Sequence, residues 1–158
     1  MGVECMQGKY KFCILALFVV VYSVWRIYLP VQIDAVHRSG SFSDVLVKNF
    51  PLTDQGRISW WNKHRALLKE KYDIPRPEED GSFDVVIWEW DGVYKTDKGN
   101  GDDLCFNDMK EERNCIEKKN RSLWITRLKN GGYRYEIGVG STASYYQAGE
   151  GARVMRKE

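Results

Sequence analysis

Phe83–Trp90 reads FDVVIWEW. Apolar residues stand at both odd and even positions, so a strand built from it has two faces to bury and belongs inside a sheet. Downstream, RSLWITRL (Arg121–Leu128) and YRYEIGV (Tyr133–Val139) are two further strands. Asn130-Gly131-Gly132 between them is a hairpin signal, because its residues accept positive φ. Tyr133, Tyr135, Ile137 and Val139 share one face of the last strand. Upstream, VQIDAVH (Val31–His37) and FSDVLVK (Phe42–Lys48) flank a turn at Gly40 and form another hairpin.

Between the upstream hairpin and the central strand the period changes. Pro51, Thr53 and Asp54 announce a helix start, with Thr53 as N-cap. The helix should run to about Tyr72, with Ile58, Trp61, Leu68 and Tyr72 on one stripe and Trp60 and Leu67 beside it. Arg65 falls within this apolar arc, where only a snorkelled stem or a partner carboxylate makes it comfortable. Ile74-Pro75-Arg76-Pro77 ends the helix. The expected fold is α+β: a small, mainly antiparallel sheet of about five strands with one principal packed helix, over residues 31–142. Residues 143–158, ending in RVMRKE, read as a flexible tail.

The segment before this domain has a different character. Phe12–Trp25, FCILALFVVVYSVW, carries no charge. With Arg26, Ile27, Tyr28 and Leu29 it makes a run that covers roughly 27 Å as a helix, close to the ~30 Å hydrocarbon core. Arg26 lies where its head can reach an interface, and Trp25 and Tyr28 suit the aromatic belt there. The exit from the run is bulky and lacks the small-residue cleavage pattern of a signal peptide. The sequence therefore predicts a short N-terminus (residues 1–11), inside the cell, and an uncleaved membrane anchor over residues 12–29. The lipid bilayer is the partner of this anchor, beginning at Phe12.

Composition narrows the function. The 158 residues are 43% hydrophobic and 13% aromatic, which excludes a disordered polymer. Net charge is +2, and the chain beyond Pro30 is charge-balanced, so no nucleic-acid partner is expected. Cys105 and Cys115 frame the charged segment FNDMKEERN (Phe106–Asn114). A structural disulfide would close this short loop; free thiols, or thiols used in catalysis or metal binding, are the other readings. His37 and His64 read as a strand-edge and a helix-flank residue rather than general bases. Asp91, Asp97, Asp102 and Asp103 lie at the wrong offsets for a calcium loop and read as a solvated turn. Gly138–Ala143 matches G-x-G-x-x-A, but too little chain follows it for a dinucleotide fold. No nucleophile elbow or phosphate loop occurs. The expectation is therefore no enzyme, no cofactor, no metal and no small-molecule substrate. Tryptophan and tyrosine anchor protein interfaces, so Trp60, Trp61, Trp88 and Trp90 are the candidate protein-binding residues.

The order of features also resembles a family. An apolar helix is followed by PVQIDAVH, by Phe50-Pro51 with Trp60-Trp61, by the junction from Lys69-Glu70-Lys71-Tyr72 to Ile74-Pro75, and by the Cys105…Cys115 pair. This is similar to a family of enterobacterial inner-membrane proteins of unknown function with one N-terminal transmembrane helix, from the anchor to about Asn120. The resemblance implies a bacterial envelope protein with its C-terminal domain in the periplasm, and no activity. The sequence reading is thus a single-pass inner-membrane protein whose periplasmic domain binds an unknown protein, in one version as an immunity factor against a toxin. The alternative is an accessory subunit of an envelope complex, partnered through the transmembrane helix.

Overall fold

The computed structural model describes residues 11–22 and 29–157. By internal contacts the chain divides into two units, Met1–Pro30 and Val31–Glu158. In the first unit, the described residues 11–22 form a helix, α1. Phe12, Leu15, Leu17, Phe18 and Val20 on it are all exposed. Among the described residues no helix is long and apolar enough to cross a membrane. The expected span of residues 12–29 is therefore not seen as such a helix. The anchor residues Trp25, Arg26 and Tyr28 lie outside the described residues.

The second unit is α+β. Its strands, among the described residues, are β1 (Gln32–Ser39), β2 (Phe42–Lys48), β3 (Phe83–Glu89), β4 (Asp103–Cys105), β5 (Cys115–Glu117), β6 (Arg121–Arg127), β7 (Tyr133–Ile137), β8 (Ala143–Gln147) and β9 (Val154–Lys157). Seven form one sheet in the order β1-β2-β3-β6-β7-β8-β9, and β4 and β5 form a separate hairpin. The five expected strands are all present, and four more accompany them. The segment expected to be a loose tail instead continues the sheet: β8 pairs β7, and β9 pairs β8. Every ladder of the large sheet is antiparallel except β2–β3, which is parallel. A parallel neighbour needs a crossover, and α2 (Asp54–Tyr72) is that crossover.

The helix has its expected bounds for a local reason. Thr53 is extended, and its hydroxyl accepts from the Gly56 amide at 3.1 Å. At the other end Asp73 adopts the left-handed conformation, and its amide closes the last turn onto Leu68 and Lys69 carbonyls. Gly56 is held by this cap: a Cβ there would meet Thr53 Oγ1 at 2.8 Å and Pro51 Cβ at 3.0 Å. Glycine to alanine in a helix ordinarily stabilises by about 1 kcal/mol. Here Gly56→Ala should destabilise instead, by about 1–2 kcal/mol, the usual cost of a lost cap. Urea unfolding of the variant checks the sign.

Two cores lie on the two faces of the sheet. On one, Val45, Val47, Phe83, Val85, Ile87, Leu123, Ile125, Tyr133, Tyr135 and Ile137 pack against Ile58, Trp61 and Leu68 of α2. Tyr72, from the same expected stripe, packs at its margin, while Leu67 points outward. On the other face Leu46, Val86 and Trp88 pack against Phe106 and Ile116. That second core exists because β3 is apolar on both sides, and the Cys105–Cys115 hairpin covers what α2 cannot.

Candidate recognition loop

The hairpin that covers the second face is closed at its base by a disulfide between Cys105 and Cys115, which are also register partners across β4–β5. Past the disulfide, the Phe106 amide donates to the Asn114 carbonyl at 3.0 Å. The Asn114 side chain returns a bond to the Phe106 carbonyl at 3.1 Å. Met109 closes a turn onto Phe106 and packs on the second core. Lys95 pairs both ways with Cys115 through the backbone, at 2.8 and 3.0 Å, so the preceding segment is tied to the same hairpin. On the outer side, Glu117 is gripped by Lys95, Lys98 and Lys119. These hydrogen-bonded ammoniums hold its carboxyl well below the usual carboxylate range.

Beneath the loop lies a polar cluster. His37 of β1 is buried, its ring stacked on Phe106 with centroids 3.7 Å apart. Its Nδ1 lies 2.9 and 3.0 Å from the two carboxylate oxygens of Asp108, and its Nε2 lies 2.7 Å from the Tyr94 hydroxyl. A carboxylate only accepts, so Nδ1 carries a proton and donates to Asp108. In the neutral ring Nε2 accepts from the Tyr94 hydroxyl. One imidazole thereby joins the sheet, the disulfide loop and the segment before it. Asp44 of β2 is the register partner of His37. It too is buried and accepts from the Trp88 indole at 2.7 Å. Burial pushes the Asp44 carboxyl up to about 6, and the charge of Asp108 acts in the same direction, against the indole bond. Burial, then Asp108, likewise raises the Tyr94 phenol.

The outer surface of the loop is different. Asn107, Lys110, Glu111, Glu112 and Arg113 are exposed. Arg113 also donates to the Tyr94 carbonyl at 3.1 Å, which steadies its stem. The result is a short charged tip on a stapled base, with its inner side chains locked into a core.

The tryptophans do not form such a surface. Trp61 is fully buried, and Trp60 and Trp88 nearly so. Adjacent positions on a helix diverge by about 100°, yet both indoles of α2 are covered. The Phe50–Pro51 turn folds over Trp60, with Phe50 edge-on at 5.3 Å and His64 stacked at 4.8 Å. Trp90 is half-buried, tilted on Tyr94 and bonded to Asp34. Three of the four expected binding residues are thus core residues. The fourth borders the loop. His64 is the expected helix-flank residue, its Nδ1 2.8 Å from the Trp60 carbonyl.

The aspartate-rich turn is occupied by its own backbone. Asp97 accepts from Gly99, Asp103 from Lys98, and Asn100 and Asp102 bond each other. Among the described residues no group of three His, Cys, Asp or Glu side chains is placed to hold a metal. Cys13 is a free, exposed thiol on α1.

No curated protein and no solved structure matches this chain. A family model does: "Enterobacterial putative membrane protein (DUF943)", over residues 7–158. The match extends past Asn120 to the last strands, so the chain belongs to that family of membrane proteins of unknown function from end to end of its folded domain.

Proposed function

We propose, from membership of this family, that the protein is anchored in the inner membrane by one helix. The domain beyond Pro30 would face the periplasm and bind another protein through the Cys105–Cys115 loop. One observation carries the binding reading. The exposed residues Lys110–Arg113 are displayed on a loop that is stapled at its base and pinned from beneath through His37. A loop ordered before binding loses less entropy on docking, and recognition residues concentrate on loops set on rigid scaffolds. The reading is non-catalytic. Both ring nitrogens of His37 are engaged and its ring is stacked, so it offers no free base.

The anchor reading rests on the apolar run from Phe12 to Leu29 and on the exposed apolar side chains of α1. The periplasmic reading rests on the disulfide, a bond that persists in oxidising compartments. Immunity-type capture of a toxin at the membrane is one form this binding could take. The accessory-subunit reading would instead place the contact on α1, around Ala16.

A C-terminal reporter active only in the periplasm, combined with thiol labelling, tests the topology. The expected result is reporter activity, with Cys105 and Cys115 blocked until a reductant is added. A cytoplasm-active reporter that works, with both thiols labelled directly, would overturn the placement and the external-partner reading with it.

A further inference from the structure

The other face of the domain carries a cavity that the recognition loop does not touch. It has a volume of about 410 Å³ and lies between α2 and the β6–β7 end of the sheet. Trp61, Arg65, Arg127, Tyr133 and Glu150 are among its lining residues. The polar groups there are nearly all donors. The two guanidinium carbons of Arg65 and Arg127 lie 5.8 and 5.9 Å from the centre of the same Tyr133 ring. Arg65 donates to the Tyr133 hydroxyl at 3.1 Å, and that hydroxyl donates to Glu150 Oε1 at 3.1 Å.

Two of these donors have no acceptor among the described residues. One is the indole N–H of Trp61, a side chain with 0% exposure; the other is Nε of Arg127. A buried donor is ordinarily paired, so an unpaired indole and an unpaired guanidinium N–H beside one cavity ask for an anion. The same cavity already shows which anion fits. Glu150, from the turn between β8 and β9, is the one carboxylate among the described lining residues, and it sits 2.9 Å from Arg65. It reaches in from outside, its own side chain 62% exposed, so its hold is weak and easily exchanged.

We propose that this cavity binds a small carboxylate, whose place beside Arg65 Glu150 holds until it is displaced. The incoming carboxylate would accept from Arg65 in the place of Glu150 and, as the side chains over them shift, from the N–H groups of Arg127 and Trp61, which are closed to solvent in this structure. This site does not rest on the recognition-loop reading, since it lies on the opposite face of the sheet.

The test uses the full chain in detergent micelles, with succinate as the probe and ¹⁵N spectra as the readout. The Trp61 indole signal is assigned by its loss in Trp61→Phe. Succinate should move it saturably and raise the thermal midpoint, since a ligand that binds only the folded state stabilises it. Arg127→Gln should weaken binding by at least about tenfold, as expected for a lost charged hydrogen bond. Glu150→Gln should tighten it by roughly two- to fivefold, the range expected on removing one exposed competing ion pair. The opposite signs separate a binding role from simple loss of folding. Three results would overturn the proposal: a shift no larger than sodium chloride gives at equal ionic strength, an affinity unchanged in Glu150→Gln, or tighter binding of inorganic phosphate than of succinate.

Discussion

Replacing Asp44 by asparagine should make the protein more stable at pH 7.5, by about 2–3 kcal/mol. Asp44 is buried under the disulfide loop, and in the folded state its carboxyl titrates at about 6 rather than at the ordinary 3.8. The folded state therefore holds this proton more tightly than the unfolded chain does. The contribution to stability is fully present below about pH 4 and is lost as pH rises through 6. At 1.36 kcal/mol per unit of displacement, the loss amounts to about 3 kcal/mol. Asparagine does not ionise, and its Oδ1 can still accept from the Trp88 indole. Its N–H₂ has to find an acceptor in the same cluster, which trims the gain. Asp34, Asp73, Asp80 and Glu117 are all held below their usual range and give the opposite pH slope. The informative curve is therefore the difference between wild type and Asp44→Asn in urea unfolding from pH 4 to 8. It should open between pH 4 and 6 in favour of the variant. A variant that is less stable at every pH, by a constant amount, would show that Asp44 stays ionised and supports the fold by its charge.

The second large effect concerns the staple itself. Cys105 and Cys115 are ten residues apart in sequence. Closing a loop of this length stabilises by about 3 kcal/mol in the chain-entropy model. The double variant Cys105→Ser/Cys115→Ser should lose about that much. The loss should not spread evenly. The face packed by α2 has its own core, and β4 and β5 are only three residues each. Amides of residues 106–114 should lose hydrogen-exchange protection first, while those of β2, β3 and β6 keep theirs. The His37 stack on Phe106 and its bonds to Asp108 depend on the loop staying down, so the imidazole should become solvent-accessible in the same variant. Uniform loss of protection across both faces would mean that the hairpin is integral to the main fold rather than a module carried on it.

Much of this architecture is written in local chemistry. Thr53 three residues before Gly56, and the left-handed stop at Asp73 before two prolines, delimit α2 without tertiary help. Asn130-Gly131-Gly132 turns β6 into β7 at the expected place, with Gly131 at positive φ. The awkward position of Arg65 in an apolar arc was a real signal: its partner carboxylate is Glu150. That partner lies in a segment whose sequence reads as a tail. Ala143–Gln147 and Val154–Lys157 are short, polar-flanked and separated by Gly149 and Gly151, so nothing local marks them as strands. They are ordered by pairing in turn: β8 onto β7, which already has a buried face, and β9 onto β8. The parallel β2–β3 pairing follows from α2 as a crossover, a consequence of topology and not of either strand alone.

The site was harder to read than the fold. His37 meets Asp108 across 71 residues of sequence and Tyr94 across 57. No spacing rule links such positions. The clue within reach was the Cys pair, which brackets Asp108 and closes its segment into a loop that must rest on something. Tryptophan identity misled in the opposite direction. An indole is equally suited to an interface and to a core, and only the covering segments decide. Phe50–Pro51 covers Trp60, and the disulfide hairpin covers Trp88.

The Cys105–Cys115 loop is proposed above as the surface that meets a partner protein. A photo-reactive amino acid placed at Lys110 or Glu112, and separately at Ala16 in α1 and at Lys71 on α2, tests it in enterobacterial cells. A discrete crosslinked product from positions 110 and 112 is predicted, absent from position 71, and lost in Cys105→Ser/Cys115→Ser while the protein remains folded in the membrane. Crosslinking from Ala16 alone, unaffected by the cysteine changes, would contradict the account and move the partner contact to the N-terminal helix.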